Sequence, residues 1–180
     1  MATQFQTTMF CLFVFSFSVT ANPLVAQTSQ SNQELKMSAR YHVETGKDTG
    51  FLIVKLQIPK GSHIYSLTQK KPLSPSKVSV KNSKQLVAGK TFKPDRKPKV
   101  IDNDPIFKMR VEKHSGTVQF FAPIRVDTSA DFKMLKPEVL FTGQICSDEG
   151  FCKLINNKTV KAEFAGFFER EAKKLPSSIK

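Results

Sequence analysis

Apolar and polar residues alternate along several short segments of the chain, with the period of a half-buried β-strand. The segment Phe51–Ile58 places four aliphatic side chains on one face: Leu52, Val54, Leu56 and Ile58. Thr117–Val126 alternates in the same way. Pro123 predicts that this second strand lies at a sheet edge or carries a bulge, because proline has no N–H to donate. We expect both segments to bury one face in a core.

Further segments with strand character fill most of the chain from residue 35 onward. They are Leu35–Val43, Lys77–Val80, Ile106–Val111, Val139–Ile145 and Thr159–Phe164. Glycine and asparagine residues that favour turns separate the strands: Gly61, Asn82, Gly89, Asn103, Gly116, Gly150 and Asn156. Roughly eight short strands without long amphipathic helices are typical of an immunoglobulin-like fold. The sequence therefore predicts an all-β protein, an antiparallel β-sandwich over residues 35–166.

The first 26 residues carry no Asp, Glu, Lys or Arg, and Met9–Val19 is an apolar run of signal-peptide length. This run is too short and too rich in serine to favour a membrane span. We interpret residues 1–26 as a signal peptide cleaved after Ala21 or Ala26, so the protein should be periplasmic or otherwise exported. Since no Lys or Arg precedes the apolar run, a retained N-terminal anchor stays the alternative.

Two other terminal segments depart from the strand pattern. Residues 27–34 are polar and predict a flexible lead-in to the domain. Residues 167–180 form a basic tail, in which Phe167–Leu175 has the pattern of a short C-terminal helix. The expected organisation is a signal peptide, a lead-in, one sandwich domain and a partly helical tail.

Positive charge dominates the composition. The 180 residues include 28 Lys and Arg against 15 Asp and Glu, which gives a formal net charge of +13. Nucleic-acid grooves interleave aromatic with basic residues, and only Phe92 does so in the basic cluster Lys90–Lys99. We therefore expect no nucleic-acid partner, and weak association with an anionic envelope surface stays open.

The chain has three cysteines, and Cys11 lies in the predicted signal peptide. Cys146 and Cys152 would remain, in a compartment where disulfides persist. The residues between them favour a turn, so the two cysteines could come within bonding distance. Such a bond closes a small loop and would stabilise the fold by only about 2 to 2.5 kcal/mol. Strand alternation places Cys146 on the more polar face, together with Leu140, Thr142 and Gln144.

The segment Gln144–Cys152, QICSDEGFC, resembles the active-site hairpin of the N-terminal periplasmic domain of the DsbD family of thiol:disulfide interchange proteins. Ile58–Ser66, IPKGSHIYS, is similar to the turn that follows an early strand in that family. Asn103–Phe107, NDPIF, followed by the strand Thr117–Val126, is similar to the family's cap loop and next strand. The resemblance covers residues 35–165 and is most specific at the cysteine hairpin.

The resemblance implies an immunoglobulin-like domain that relays electrons by disulfide exchange, without cofactor or metal. Its partners would be thioredoxin-fold periplasmic proteins and a membrane-embedded electron donor. Cys152 would form the mixed disulfide and Cys146 would resolve it. Phe107 would be the cap aromatic that shields the pair and Asp104 the cap acid. Gln144 and Phe151 would support the hairpin.

Some positions differ from the family pattern. Lys153–Ile155 follow the second cysteine, where the family often has aromatic and proline residues, and Gly143 stands where a tyrosine is common. Asp148 and Glu149 disfavour a thiolate and Lys153 favours one, so we expect a thiol that reacts chiefly inside a docked complex. The alternative is a non-catalytic module that binds an envelope protein and carries a structural hairpin disulfide.

Overall fold

The structure is a computed structural model, and it describes residues 34–81 and 83–169. Within these ranges the chain forms twelve strands. They are β1 (Lys36–Glu44), β2 (Thr49–Gln57), β3 (Ser62–Tyr65), β4 (Lys77–Lys81), β5 (Leu86–Ala88), β6 (Lys93–Pro94), β7 (Lys99–Ile101), β8 (Val111–His114), β9 (Thr117–Val126), β10 (Glu138–Ser147), β11 (Cys152–Lys161) and β12 (Glu163–Phe168).

The strands form two six-stranded sheets. The first has the order β12-β1-β2-β9-β5, with β6 also pairing with β9. The second has the order β11-β10-β3-β8-β7, with β4 also pairing with β10. Strands β1 and β12 run parallel, and the other pairs of the described residues are antiparallel. The predicted all-β, immunoglobulin-like sandwich is confirmed.

The core lies between the two sheets. It contains apolar side chains that the alternation of apolar and polar residues predicted to be buried. From the first sheet it takes Leu52, Val54 and Leu56, the apolar face predicted for β2. From the second sheet it takes side chains of β10, among them Val139 and Phe141. Burial of these faces supplies the main driving force for the fold.

Of the two alternatives predicted for Pro123, a sheet edge or a bulge, the edge is wrong. Strand β9 pairs with β2 along one side and with β5 and β6 along the other. On that second side, β5 pairs as far as Ile124 and β6 begins to pair at Phe121. Pro123 therefore lies where one short neighbouring strand has ended and the next has not begun, and its missing N–H interrupts neither pairing.

Two other predicted segments differ from the structure. Of Ile106–Val111, only Val111 lies in a strand, because residues 104–109 form a compact turn. The predicted strand Thr159–Phe164 is divided between β11 and β12. The strands β3, β5, β6 and β7 were not predicted as separate elements, because short strands offer too few residues to show a period.

The predicted C-terminal helix is not seen in the described residues. Phe167 and Phe168, its first two residues, belong to β12. The rest of that helix from residue 170 onward, the signal peptide at 1–26, most of the lead-in and Asn82 lie outside the described residues. Among the residues that the structure describes, no helix is long and apolar enough to cross a membrane.

Candidate functional site

The two cysteines face each other across the hairpin of β10 and β11. Cys146 and Cys152 are direct cross-strand partners, their Cα atoms are 4.0 Å apart, and their sulfur atoms are bonded. The connecting loop is closed by hydrogen bonds from the Ser147 N–H to the Phe151 carbonyl and from the Gly150 N–H to the Ser147 carbonyl. Gly150 has a φ of +95°, which favours glycine. The turn predicted between the cysteines is confirmed, and it brings them into register.

Strand β3 fixes the hairpin from its other side. Cys146 is the direct partner of His63 on β3, and the Asp148 N–H donates to the Gly61 carbonyl over 2.9 Å. Side chains that are direct partners in neighbouring strands project from the same face. Cys152, Cys146 and His63 therefore form one row across three strands, on the face of the sheet away from the main core.

The two sulfur-bearing residues differ sharply in burial. Cys146 is only 2 % exposed, whereas Cys152 is exposed. Cys146 packs in a second, smaller apolar cluster with Tyr65, Leu73 and Val111, and Met109 packs against this cluster. A reagent approaching from solvent therefore meets Cys152 first.

The predicted face of Cys146 is correct, but this end of the face is buried. Alternation along β10 gives the correct face, but the segments carrying Leu73 and Met109 cover the end of that face. Gln144, two residues earlier on the same face, is only partly buried and is the cross-strand partner of Leu154. Because the residues that bury Cys146 come from other segments of the chain, the sequence of β10 alone does not predict this burial.

Tyr65 provides a polar contact to the buried sulfur. Its hydroxyl lies 3.6 Å from Cys146 Sγ, and because a disulfide sulfur has no hydrogen, the tyrosine donates. Burial raises the pKa of Tyr65, and the negative charge of Asp104 acts in the same direction. The hydroxyl therefore keeps its proton and remains a donor beside Cys146.

His63 lies next to this pair. It is 8 % exposed, and its ring meets the Tyr65 ring edge-on with the centroids 5.7 Å apart. Its Nδ1 is 3.5 Å from Asp148 Oδ1 but makes no hydrogen bond. Burial lowers the pKa of His63 and the positive charge of Lys113 lowers it further, while Asp148 and Asp104 act in the opposite direction. The ring is therefore neutral at pH 7 in the disulfide form.

The loop identified from the sequence as a cap does lie at this site. Asp104 is buried, and its Oδ1 accepts hydrogen bonds from the N–H groups of Ile106 and Phe107. Its charge acts on both Tyr65 and His63. The side chain that this loop packs against the Cys146 cluster is Met109, whereas Phe107 remains 39 % exposed.

Tyr65, His63 and Met109 belong to the site, although none of them was predicted as a site residue. The sequence did indicate that Tyr65 and His63 lie on one face, because residues two positions apart in a strand share a face. All four residues of β3 are buried, so the strand shows no alternation that would reveal which face is which. Met109 carried no usable signal, because only the fold of its loop brings it to Cys146.

A groove of about 520 Å³ opens beside the exposed cysteine. Its walls come from the hairpin loop and from the turn before β3: Gly61, Ser62, Ile145, Ser147, Asp148, Glu149, Phe151, Cys152 and Lys153. Phe151 is 77 % exposed and Leu154 is 61 % exposed. Large apolar side chains are therefore displayed on both sides of Cys152.

Histidines elsewhere in the sandwich lie apart from the cysteine pair. His42 on β1 stacks on Phe51, and His114 on β8 meets Phe120 edge-on. Across the described residues, no group of three or more His, Cys, Asp or Glu side chains is placed to hold a metal ion. The reactive group present at the site is the disulfide itself.

Comparisons with known proteins bear on the fold. No family model and no curated protein matches the chain. Among solved structures, the N-terminal periplasmic domain of ScsB from Proteus mirabilis matches with a TM-score of 0.51 at 13 % identity. That match covers 76 % of this chain and 49 % of the ScsB chain. The likeness is one of fold.

Two DsbD N-terminal domains from Neisseria meningitidis match less closely. One, from a complex with the PilB N-terminal domain, has a TM-score of 0.42 at 15 % identity and covers 78 % of this chain and 88 % of its own. The other, in the reduced form, has a TM-score of 0.34 at 17 % identity and covers 69 % and 89 %. The resemblance read from the sequence is confirmed at the level of the fold by the ScsB match.

Proposed function

We propose that the protein is an exported thiol-disulfide interchange domain that relays electrons between protein partners through Cys146 and Cys152. The observation that carries the proposal is the asymmetry of this disulfide, which joins a buried sulfur to an exposed one. The partners are thioredoxin-fold periplasmic proteins and a membrane-embedded electron donor, as the resemblance of the cysteine hairpin implies. With this function the chain would act as a protein-disulfide reductase.

Exchange begins when the thiolate of a reduced donor attacks Cys152 Sγ. The Cys146–Cys152 bond breaks, its electron pair leaves on Cys146 Sγ, and the donor is held in a mixed disulfide with Cys152. The second donor thiol then attacks the donor sulfur and releases the reduced domain. In the reverse sense, the Cys152 thiolate opens the disulfide of an acceptor, and Cys146 attacks Cys152 Sγ to release the acceptor reduced.

The surroundings of each sulfur suit these separate roles. Cys152 opens onto the groove and is flanked by the exposed side chains of Phe151 and Leu154, which a docked partner would cover. Cys146 leaves as a thiolate in an apolar cluster, where an unpaired charge is costly. The Tyr65 hydroxyl offsets part of this cost because it donates to the sulfur.

Trapping of a mixed disulfide tests the proposal. The Cys146→Ala variant retains only the exposed thiol of the described domain. It should displace thionitrobenzoate from the activated cysteine of a thioredoxin whose resolving cysteine is serine, and so form a covalent complex through Cys152. The matched Cys152→Ala variant should react at least about tenfold more slowly, because Cys146 is 2 % exposed.

Two outcomes would contradict the proposal. Equal rates for the two variants would show that burial does not select the exchanging sulfur. Failure of Cys146→Ala to form any complex with several thioredoxin-fold proteins, while small thiol reagents still label it, would favour a binding module with a structural disulfide.

A further inference from the structure

His63 is a buried titratable side chain that the exchange steps described above do not use. We propose that His63 takes up a proton when Cys146 is released as a thiolate, and so compensates the buried negative charge. This inference rests on the proposed function, because it assigns a residue to the leaving-group step at the same disulfide.

Strand register places His63 beside the leaving sulfur. His63 and Cys146 are direct partners between β3 and β10. The Cβ atoms of such partners lie about 4.5 to 5.5 Å apart, and both side chains project from the same face. Tyr65, two residues along β3, contacts both the His63 ring and Cys146 Sγ. A charge on the sulfur would therefore be felt directly by the imidazole.

The Asp148 carboxylate can accept a hydrogen bond from a protonated His63 ring. Nδ1 of His63 is buried without a hydrogen bond, and Asp148 Oδ1 lies 3.5 Å away. A protonated ring donates from both nitrogens, so Nδ1 can then bond to this carboxylate. The Asp148 side chain is 67 % exposed, which gives the proton a route from solvent. Protonation of the ring would make this contact an ion pair.

The charged groups around His63 are of both signs. Lys113 approaches from β8, Asp104 from the 104–109 loop and Asp148 from the hairpin loop. In the disulfide form, burial and Lys113 hold the pKa of His63 below its usual value of 6.5. The Cys146 thiolate would add one negative charge on the same face. Because Cys146 and His63 are direct cross-strand partners, the added charge should raise the proton affinity of His63 by at least about tenfold.

The step balances in atoms and charge. The electron pair of the broken S–S bond goes to Cys146 Sγ, the new S–S bond forms at Cys152 Sγ, and solvent supplies one proton to His63. The pair formed by the imidazolium and the thiolate is neutral overall, as were the imidazole and the disulfide sulfur before it. The apolar cluster around Cys146 therefore gains no net charge during exchange.

NMR titration of the native protein tests this inference directly. The ring protons of the three histidines in the chain are followed against pH in the disulfide form and after reduction with dithiothreitol. Where Cys146 of the reduced protein is ionised, the proton affinity of His63 should exceed its value in the disulfide form at least about tenfold. His42 and His114 are internal controls, because one lies on the other sheet and the other packs against Phe120. A His63 titration that is unchanged although Cys146 is ionised would overturn the proposal, as would an equal shift at His114.

A second measurement detects the same coupling through the ionisation of the Cys146 thiol. In the Cys152→Ser variant Cys146 is the one cysteine left among the described residues, and the ultraviolet absorbance of its thiolate reports its ionisation. Adding His63→Gln should lower the thiolate fraction at neutral pH at least about tenfold, because the compensating charge is lost. No change would contradict the inference.

These titrations use dithiothreitol and no protein partner, so they separate the two proposals. If the protein failed to exchange with thioredoxin-fold proteins, the His63 titration would still report whether the coupling exists. If His63 failed to respond, trapping through Cys152 would still test the relay.

Discussion

Removal of the Cys146–Cys152 bond should weaken the fold by a small, calculable amount. The bond joins residues only six positions apart. For so short a loop, the loss of chain entropy in the unfolded state corresponds to about 2 kcal/mol. The substitution Cys152→Ser should therefore lower the free energy of unfolding by about 2 kcal/mol, and reduction of the native protein should do the same.

Other contacts should hold the hairpin in place without the bond. Strand β10 pairs with β11 along its length, and β4 and β3 pair with its other edge. The Asp148 N–H still donates to the Gly61 carbonyl, and the Cys146 side chain can remain in its apolar cluster. The folded state of the variant should therefore keep the same core.

Urea denaturation provides the measurement. The oxidised protein, the reduced protein and Cys152→Ser are compared at one pH. A loss of about 2 kcal/mol would move the midpoint by about 1 M urea for a domain of this size. Dithiothreitol should leave the variant unchanged, which controls for other effects of the reductant. A loss above about 4 kcal/mol, or disappearance of the cooperative transition, would instead show that the bond is a structural brace.

The remaining predictions concern pH and one glycine. Burial lowers the pKa of His42, His63 and His114 below the usual 6.5, so the unfolded chain binds more protons as the pH falls past that value. The stability present above about pH 6.5 should decline as the pH falls below that value, and an unfolding free energy in urea that does not fall with pH there would contradict this sign. Gly50→Ala should cost about 3 kcal/mol in the same assay, because a Cβ there would meet the His42 carbonyl. Ser38→Ala, at an exposed position of β1, is the matched control and should have little effect.

The fold could be predicted from the sequence wherever a long strand buries one face. Strand β9 matches the predicted Thr117–Val126 segment, and β2 lies within two residues of its prediction. In both strands period-two alternation is a direct record of burial against the opposite sheet. The edge predicted at Pro123 was wrong, because the gap in pairing on one side of β9 depends on where the short strands β5 and β6 end.

The candidate site was only partly predictable for the same reason. The cysteine hairpin is local, so turn chemistry and spacing located Cys146 and Cys152. The environment of Cys146 is not local. Tyr65 and His63 reach it through the register of β3 against β10, and Met109 reaches it through a loop. Contacts of this kind depend on pairing across the sheet, which strand alternation alone does not specify.

The difference between the two sulfurs follows from their places in the second sheet. Strand β11 lies at the end of that sheet, whereas β10 has neighbours on both sides. A side chain on the terminal strand has one flank open, while Cys146 is enclosed by β3 and by the cluster around Tyr65. Because Asp148 and Glu149 lie beside the pair, charge alone would not select Cys152 as the attacking thiol. Solvent access, which the order of the strands determines, would select Cys152. A variant in which Cys146 is exposed and Cys152 is buried should therefore exchange through Cys146, even with the sequence of the loop unchanged.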